Sequence, residues 1–129
     1  MGYPSAVKSY RENEVYSASP AQLFLMTFDY LIAQMTRARI GIETKQKDIT
    51  LAALDRSRVA LGELIASIDS KDNSDLARTL RGLFTFSFME LCDVGFAADK
   101  VKLERHLANI RELRDAFAKA AEQKQAEVA

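Results

Sequence analysis

Proline is confined to the first twenty residues of this 129-residue chain, at Pro4 and Pro20. Proline lacks a backbone N–H and costs about 3 kcal/mol in the interior of a helix. The long span without proline therefore permits long, unbroken helices. The β-branched residues are scattered, and no run alternates with the period of two that a half-buried strand shows. The sequence predicts an all-α fold.

Four stretches carry apolar residues at steps of three and four, which is the spacing of one face of a helix. The first opens with Ser19-Pro20-Ala21-Gln22, a capping box with proline at the first helical position. The second starts near Asp48, the third follows the polar stretch 69–75, and the fourth starts near Asp99. The predicted core positions, in chain order, are Phe24, Phe28, Leu31, Met35, Ala38 and Ile42; Leu51, Leu54, Leu61, Ile65 and Ile68; Leu80, Phe84, Phe88 and Leu91; Leu103, Leu107, Ile110, Leu113, Phe117 and Ala121.

The connections between these stretches are short, and short connections favour antiparallel neighbours. We therefore expect an antiparallel up-down-up-down four-helix bundle over residues 19–129, preceded by an N-terminal arm, residues 1–18. A chain of this length suits one domain and is long enough to bury a core.

The charge balance restricts the classes of partner. The chain has eighteen basic and eighteen acidic residues, so its formal net charge is zero. Proteins that coat nucleic acid or an anionic membrane draw affinity from a net basic field, so we expect neither partner. The N-terminus has no apolar signal core, and no run of 18 apolar residues exists. The sequence predicts a cytoplasmic protein with no membrane insertion.

No catalytic constellation is visible. The single cysteine, Cys92, cannot hold a zinc site alone, and the five glycines are scattered, so no phosphate loop forms. The single histidine, His106, makes a histidine phosphotransfer bundle an alternative, but Asn109 and Ile110 stand where such proteins typically have lysine and glycine. We expect His106 to be a boundary residue at the edge of the fourth stripe. We also expect no enzyme activity, no cofactor and no metal site.

The first and third helices carry more apolar residues than one core can use, since a bundle helix needs about three in seven. On the first helix the additional residues are Leu23, Leu25, Met26, Tyr30 and Ile32. On the third, with Phe84 at zero and about 100° per residue, Met89 falls near about 140°, Phe86 near about 200° and Leu83 near about 260°. These three side chains point away from the predicted core and are candidate contacts for a partner.

Two interpretations account for this surface. The arm carries apolar residues, among them Val7 and Tyr10, and could fold back over part of the bundle. The surface could also form a groove for an amphipathic partner helix, for which Met and Phe are adaptable linings. The two are compatible, because a partner can displace an arm. Homodimerisation is the main competing use of the surface.

The segment from Tyr10 to Pro20 carries a tyrosine, an Asn-x-Val step and a Ser-Ala-Ser-Pro cap, and an apolar helix with Leu23, Met26 and Phe28-Asp29 follows. This pattern resembles the N-terminal signature of the flagellar export chaperone FliS family. Further similarity lies at 63–69, 76–86 and 113–117, so the resemblance covers roughly residues 6–119.

The resemblance implies a cytoplasmic chaperone that binds the C-terminal segment of flagellin. Such a protein prevents premature polymerisation and delivers its client to the flagellar export gate. The candidate contacts predicted above from the apolar pattern, Val7 and Tyr10 on the arm with Leu83, Phe86 and Met89 on the third helix, are then the candidate client-binding residues. A histidine phosphotransfer bundle and a structural homodimer remain the alternatives.

Overall fold

The computed structural model describes residues 18–128, which form four α-helices and no strand. Helix α1 spans Pro20–Glu43, α2 spans Lys47–Ala66, α3 spans Asp75–Ala97 and α4 spans Lys100–Val128. The predicted all-α bundle is confirmed. The arm, with Val7 and Tyr10, lies outside the described residues apart from its last position.

Local side-chain bonds mark the starts of three helices. At α1 the Gln22 amide donates to Ser19 Oγ (3.2 Å) and the Ser19 amide donates to Gln22 Oε1 (2.8 Å), which closes the predicted capping box. Ser74 caps α3 by accepting from the Ala77 amide, and the Asp99 carboxylate accepts from the Lys102 amide at the start of α4. These bonds satisfy amides that have no partner inside the helix.

Consecutive helices run antiparallel. Helix α1 packs against α2 and α4, α2 packs against α3, and the smallest of the four interfaces between neighbouring helices joins α3 to α4. Ion pairs join α1 to α4 in antiparallel register: Glu43 with Lys100 at 3.2 Å near one end, and Asp29 with Arg114 at 2.9 Å toward the other. Gly41 of α1 lies directly against α2.

The core contains most of the predicted stripe, with an aromatic cluster inside it. The Phe28 ring is fully buried and packs edge-on against Phe84 at 5.8 Å between ring centroids. Phe24 and Phe117 extend this cluster from α1 and α4. The fully enclosed large side chains are Phe28, Phe84, Leu31, Met35, Leu54, Leu61, Leu64, Leu91, Leu103, Leu107, Ile110 and Val94.

Two predicted core positions are wrong: Leu51 is 39% exposed and Phe88 is 38% exposed. A step of four residues turns about 40° beyond a full circle, so a stripe built from such steps drifts off the buried face. On α3 the buried face includes Ser87 and Val94, which lie on the opposite side of Phe84 from Phe88. Phe88 therefore lies at the outer edge of α3. On α2, Leu51 lies about 60° from Leu54, on the side away from the buried Ala53.

The connection between α3 and α4 bends at an alanine. Ala98 has φ 51° and ψ 43°, a left-handed conformation, and its amide bonds to the Val94 carbonyl at 2.8 Å. Residues with a Cβ pay roughly 1–2 kcal/mol there, whereas glycine does not. We expect Ala98→Gly to raise the free energy of unfolding by about 1 kcal/mol in urea melts. Ala97→Gly, one residue earlier inside the helix, should instead lower it, and the same sign for both variants would contradict this reading of the turn.

Candidate functional site

The three candidate contacts on α3 follow one another at steps of three residues, which makes them neighbours along the helix surface. Phe86 is 55% exposed and Met89 is 63% exposed, while Leu83 is half-buried. The expected exposure is confirmed for Phe86 and Met89. The role of all three as contacts for a partner stays a prediction. We call Leu83, Phe86 and Met89 the α3 ridge.

Phe86 does not stand free of the bundle. Its ring lies against the imidazole of His106 on α4, with 5.4 Å between ring centroids. His106 is only 3% exposed, so the expected boundary position is wrong. Its Nδ1 lies 3.0 Å from the hydroxyl of Ser87, which is also buried. The sequence contains one sign that His106 could be buried. Ser87 stands at a core position of α3, and a buried hydroxyl needs a hydrogen-bonding partner.

Two charged side chains extend this contact toward solvent. Glu90 Oε1 lies 3.7 Å from His106 Nε2, and Glu90 Oε2 lies 3.1 Å from Lys102 Nζ. The adjacent carboxylate favours the proton on Nε2, which leaves Nδ1 to accept from the Ser87 hydroxyl. Lys102 lowers the pKa of Glu90, and Glu90 in turn raises the pKa of Lys102. Burial lowers the pKa of His106, and the Glu90 carboxylate partly opposes that shift.

The buried histidine predicts a pH dependence of stability. Its pKa in the folded chain lies below the ordinary value of 6.5, so the unfolded chain takes up a proton first as the pH falls. We expect the free energy of unfolding to be fully retained above pH 6.5 and to decrease from there down to the folded pKa. Urea melts at pH 7.5 and 5.5 should show this decrease.

The matched control for that measurement is His106→Asn, which keeps a hydrogen-bond acceptor near Ser87 and does not titrate. Glu90 and Asp72 also have shifted pKa values, but both shifts are downward from ordinary values of 4.5 and 3.8, outside this window. The same decrease in His106→Asn and the unsubstituted chain would show that another group is responsible.

The surroundings of His106 do not suit phosphoryl transfer. Both ring nitrogens of His106 face protein side chains, and the ring is buried, whereas a phosphoryl acceptor must be reached from outside. Cys92 is half-buried, with its thiol free. Over residues 18–128, no cluster of three or more histidine, cysteine or acidic side chains could hold a metal.

A second apolar surface lies between α2 and α3, and sequence reasoning missed it. It is a cavity of about 430 Å³ open to solvent, and Phe96 at its edge is 94% exposed. The misplaced Leu51 lies on its α2 side. Such a groove depends on how two helices pack, so no pattern within one helix indicates it. Its lining residues are Lys47, Leu51, Arg58, Cys92, Gly95 and Phe96.

The outer side of α1 adds further exposed apolar area, as the excess of apolar residues predicted. Leu23 and Tyr30 are exposed, whereas Leu25, Met26 and Ile32 are half-buried. No helix within residues 18–128 is long and apolar enough to cross a membrane.

A helical bundle with exposed apolar side chains on its helices, as residues 18–128 form, is typical of protein-binding modules. The chain belongs to the FliS family: the model of that family, described as flagellar protein FliS, matches residues 3–124. A comparison with curated proteins gave no match. Family membership supports a flagellar chaperone role, and this family is not a family of enzymes. The matched range includes the arm residues Val7 and Tyr10.

Proposed function

We propose that this protein is a cytoplasmic secretion chaperone that binds the C-terminal segment of flagellin. It prevents premature polymerisation there and delivers the subunit to the flagellar export gate. Membership of the FliS family supports the chaperone class. The observation that carries the binding role is the exposure of Phe86 and Met89 on a helix whose opposite face is fully occupied by the core.

The physical basis is the burial of one apolar face against another. A segment that is disordered alone and amphipathic when helical polymerises unless its apolar face is covered. The α3 ridge presents two large, adaptable apolar side chains to such a face. Ordering a disordered segment on binding costs on the order of 2–5 kcal/mol, which keeps the complex reversible and allows release without ATP.

The arm contributes to the proposed site through Val7 and Tyr10. Both are apolar residues on a segment too short to have its own core, so we expect them to dock on the bundle and to be partly displaced by the client. Hydrogen exchange of residues 1–18 should therefore change when flagellin is added. Unchanged exchange at saturating client would contradict displacement of the arm.

The deciding experiment is a calorimetric titration of the full chain with a synthetic peptide of the flagellin C-terminal segment. Saturable binding is expected, and a peptide of scrambled order is the control for non-specific apolar association. Met89→Gln should weaken the affinity, whereas Val59→Gln on α2, which is similarly exposed at 61%, should not. A compact dimer that ignores the peptide would favour the structural homodimer, and phosphate transfer to His106 would favour the phosphotransfer alternative.

A further inference from the structure

The interface between α3 and α4 is the smallest of the four between neighbouring helices, and a polar contact bridges it. Ser87 on α3 and His106 on α4 meet at 3.0 Å, and both side chains are buried. The half-exposed ring of Phe86 lies against the same imidazole. One buried histidine therefore contacts both a core hydroxyl and a candidate client contact.

We propose that His106 is a positioning residue that holds the Phe86 ring in the orientation in which it meets the client. This inference rests on the proposed function, since it assigns a role to a residue beneath the proposed binding surface. His106 is itself too buried to touch a partner, so its influence on binding passes through Phe86.

The contacts around the ring give the imidazole a defined orientation. Ser87 engages Nδ1 and Glu90 faces Nε2, so rotation of the ring would break one contact or the other. The charges that act on the imidazole come from Glu90 on α3 and from Lys102 and Arg105 on α4. Asp93 on α3 lies 3.9 Å from Lys102 and belongs to the same network. All of these charged groups lie on α3 and α4, the two helices that meet at the imidazole.

Protonation of His106 would disturb this arrangement. A proton on Nδ1 forces the Ser87 hydroxyl to accept instead of donate. A client that covers Phe86 also removes water from around the imidazole, which disfavours the charged form further. Binding and protonation therefore oppose each other, and by reciprocity the affinity must fall as the pH falls.

The size of the effect follows from the shift that the client causes. For each unit by which binding lowers the pKa of His106, the affinity below both pKa values is about tenfold weaker than at neutral pH. If His106 had only a structural role and did not act on the α3 ridge, the affinity would not change with the protonation of His106.

The first test needs no client. His106 is the only histidine, so one imidazole signal in an NMR titration of the full chain reports its pKa. Phe86→Ala uncovers the ring and should raise that pKa toward 6.5. Phe96→Ala removes another exposed α3 phenylalanine that makes no ring contact with His106, and should leave the pKa unchanged. Equal values in Phe86→Ala and the unsubstituted chain would overturn the coupling between the two rings.

The second test measures peptide affinity between pH 7.5 and 5.5 for the unsubstituted chain and for His106→Asn, which cannot titrate. As the pH falls from 7.5 to 5.5, we expect the affinity of the unsubstituted chain to decrease by several-fold more than that of His106→Asn. Parallel pH profiles would overturn the proposal even with tight binding at neutral pH. Absence of peptide binding at every pH would instead contradict the proposed function. If His106→Asn does not fold, the NMR titration of Phe86→Ala still decides the inference.

Discussion

Replacing Phe84 with alanine should lower the free energy of unfolding by about 3–5 kcal/mol, the usual cost of emptying a buried aromatic site. Phe84 is fully buried and packs edge-on against Phe28, so the variant loses both the transfer energy and this ring contact. Urea melts followed by circular dichroism measure the change. We expect the variant to retain peptide binding at low temperature in the absence of urea, where it is still folded.

Phe86→Gln is the matched control, because it changes an aromatic residue two positions away on the same helix. Phe86 is half-exposed, so its loss should affect stability far less while weakening binding of the flagellin peptide about tenfold. The outcome that would refute this division is Phe86→Gln melting as early as Phe84→Ala while binding the peptide normally. Phe86 would then belong to the core.

The second large effect is expected at Gly41, where α1 and α2 come closest. A Cβ at this position would lie 2.4 Å from Thr50 Oγ1, 3.0 Å from the Thr50 amide nitrogen and 3.2 Å from its Cα. The hydroxyl cannot turn away freely because it donates to the Gln46 carbonyl at 3.0 Å. Gly41→Ala must therefore push the two helices apart. We expect a loss of about 1–3 kcal/mol in urea melts, the usual range for an overpacked site.

Gly62 provides the control for this prediction. It lies within α2, and a Cβ there would meet no atom within 4 Å. Gly62→Ala should therefore raise the free energy of unfolding by about 0.5–1 kcal/mol, because alanine is the better helix former. A loss of stability in Gly62→Ala as large as that in Gly41→Ala would show that the close approach at Thr50 is not the cause.

Much of the fold could be predicted from the sequence because its signals are local. The capping box at Ser19 and Gln22 depends on residues three apart, and the apolar stripes depend on steps of three and four. Both kinds of pattern report on a single helix. They therefore located all four helices, and they placed Phe28 and Phe84 correctly in the core.

The parts that the sequence did not predict depend on two helices at once. The burial of His106 requires Ser87 at the matching position on another helix, and the groove beside Leu51 is lined by residues of both α2 and α3. Both features depend on the register between two helices. The apolar pattern of a single helix contains no information about that register. The exposure of Phe86 could be predicted from its angle on α3, whereas its contact with His106 could not.

The closed capping box at the start of α1 affects how far the cooperative unfolding of the bundle depends on residues 1–18. Ser19 and Gln22 satisfy each other's amides, so the first turn of α1 needs no hydrogen bond from any residue before Ser19. The cap therefore supports the first turn of α1 whatever residues 1–18 contact. A chain shortened to begin at Ala18 should therefore melt as cooperatively as the full protein.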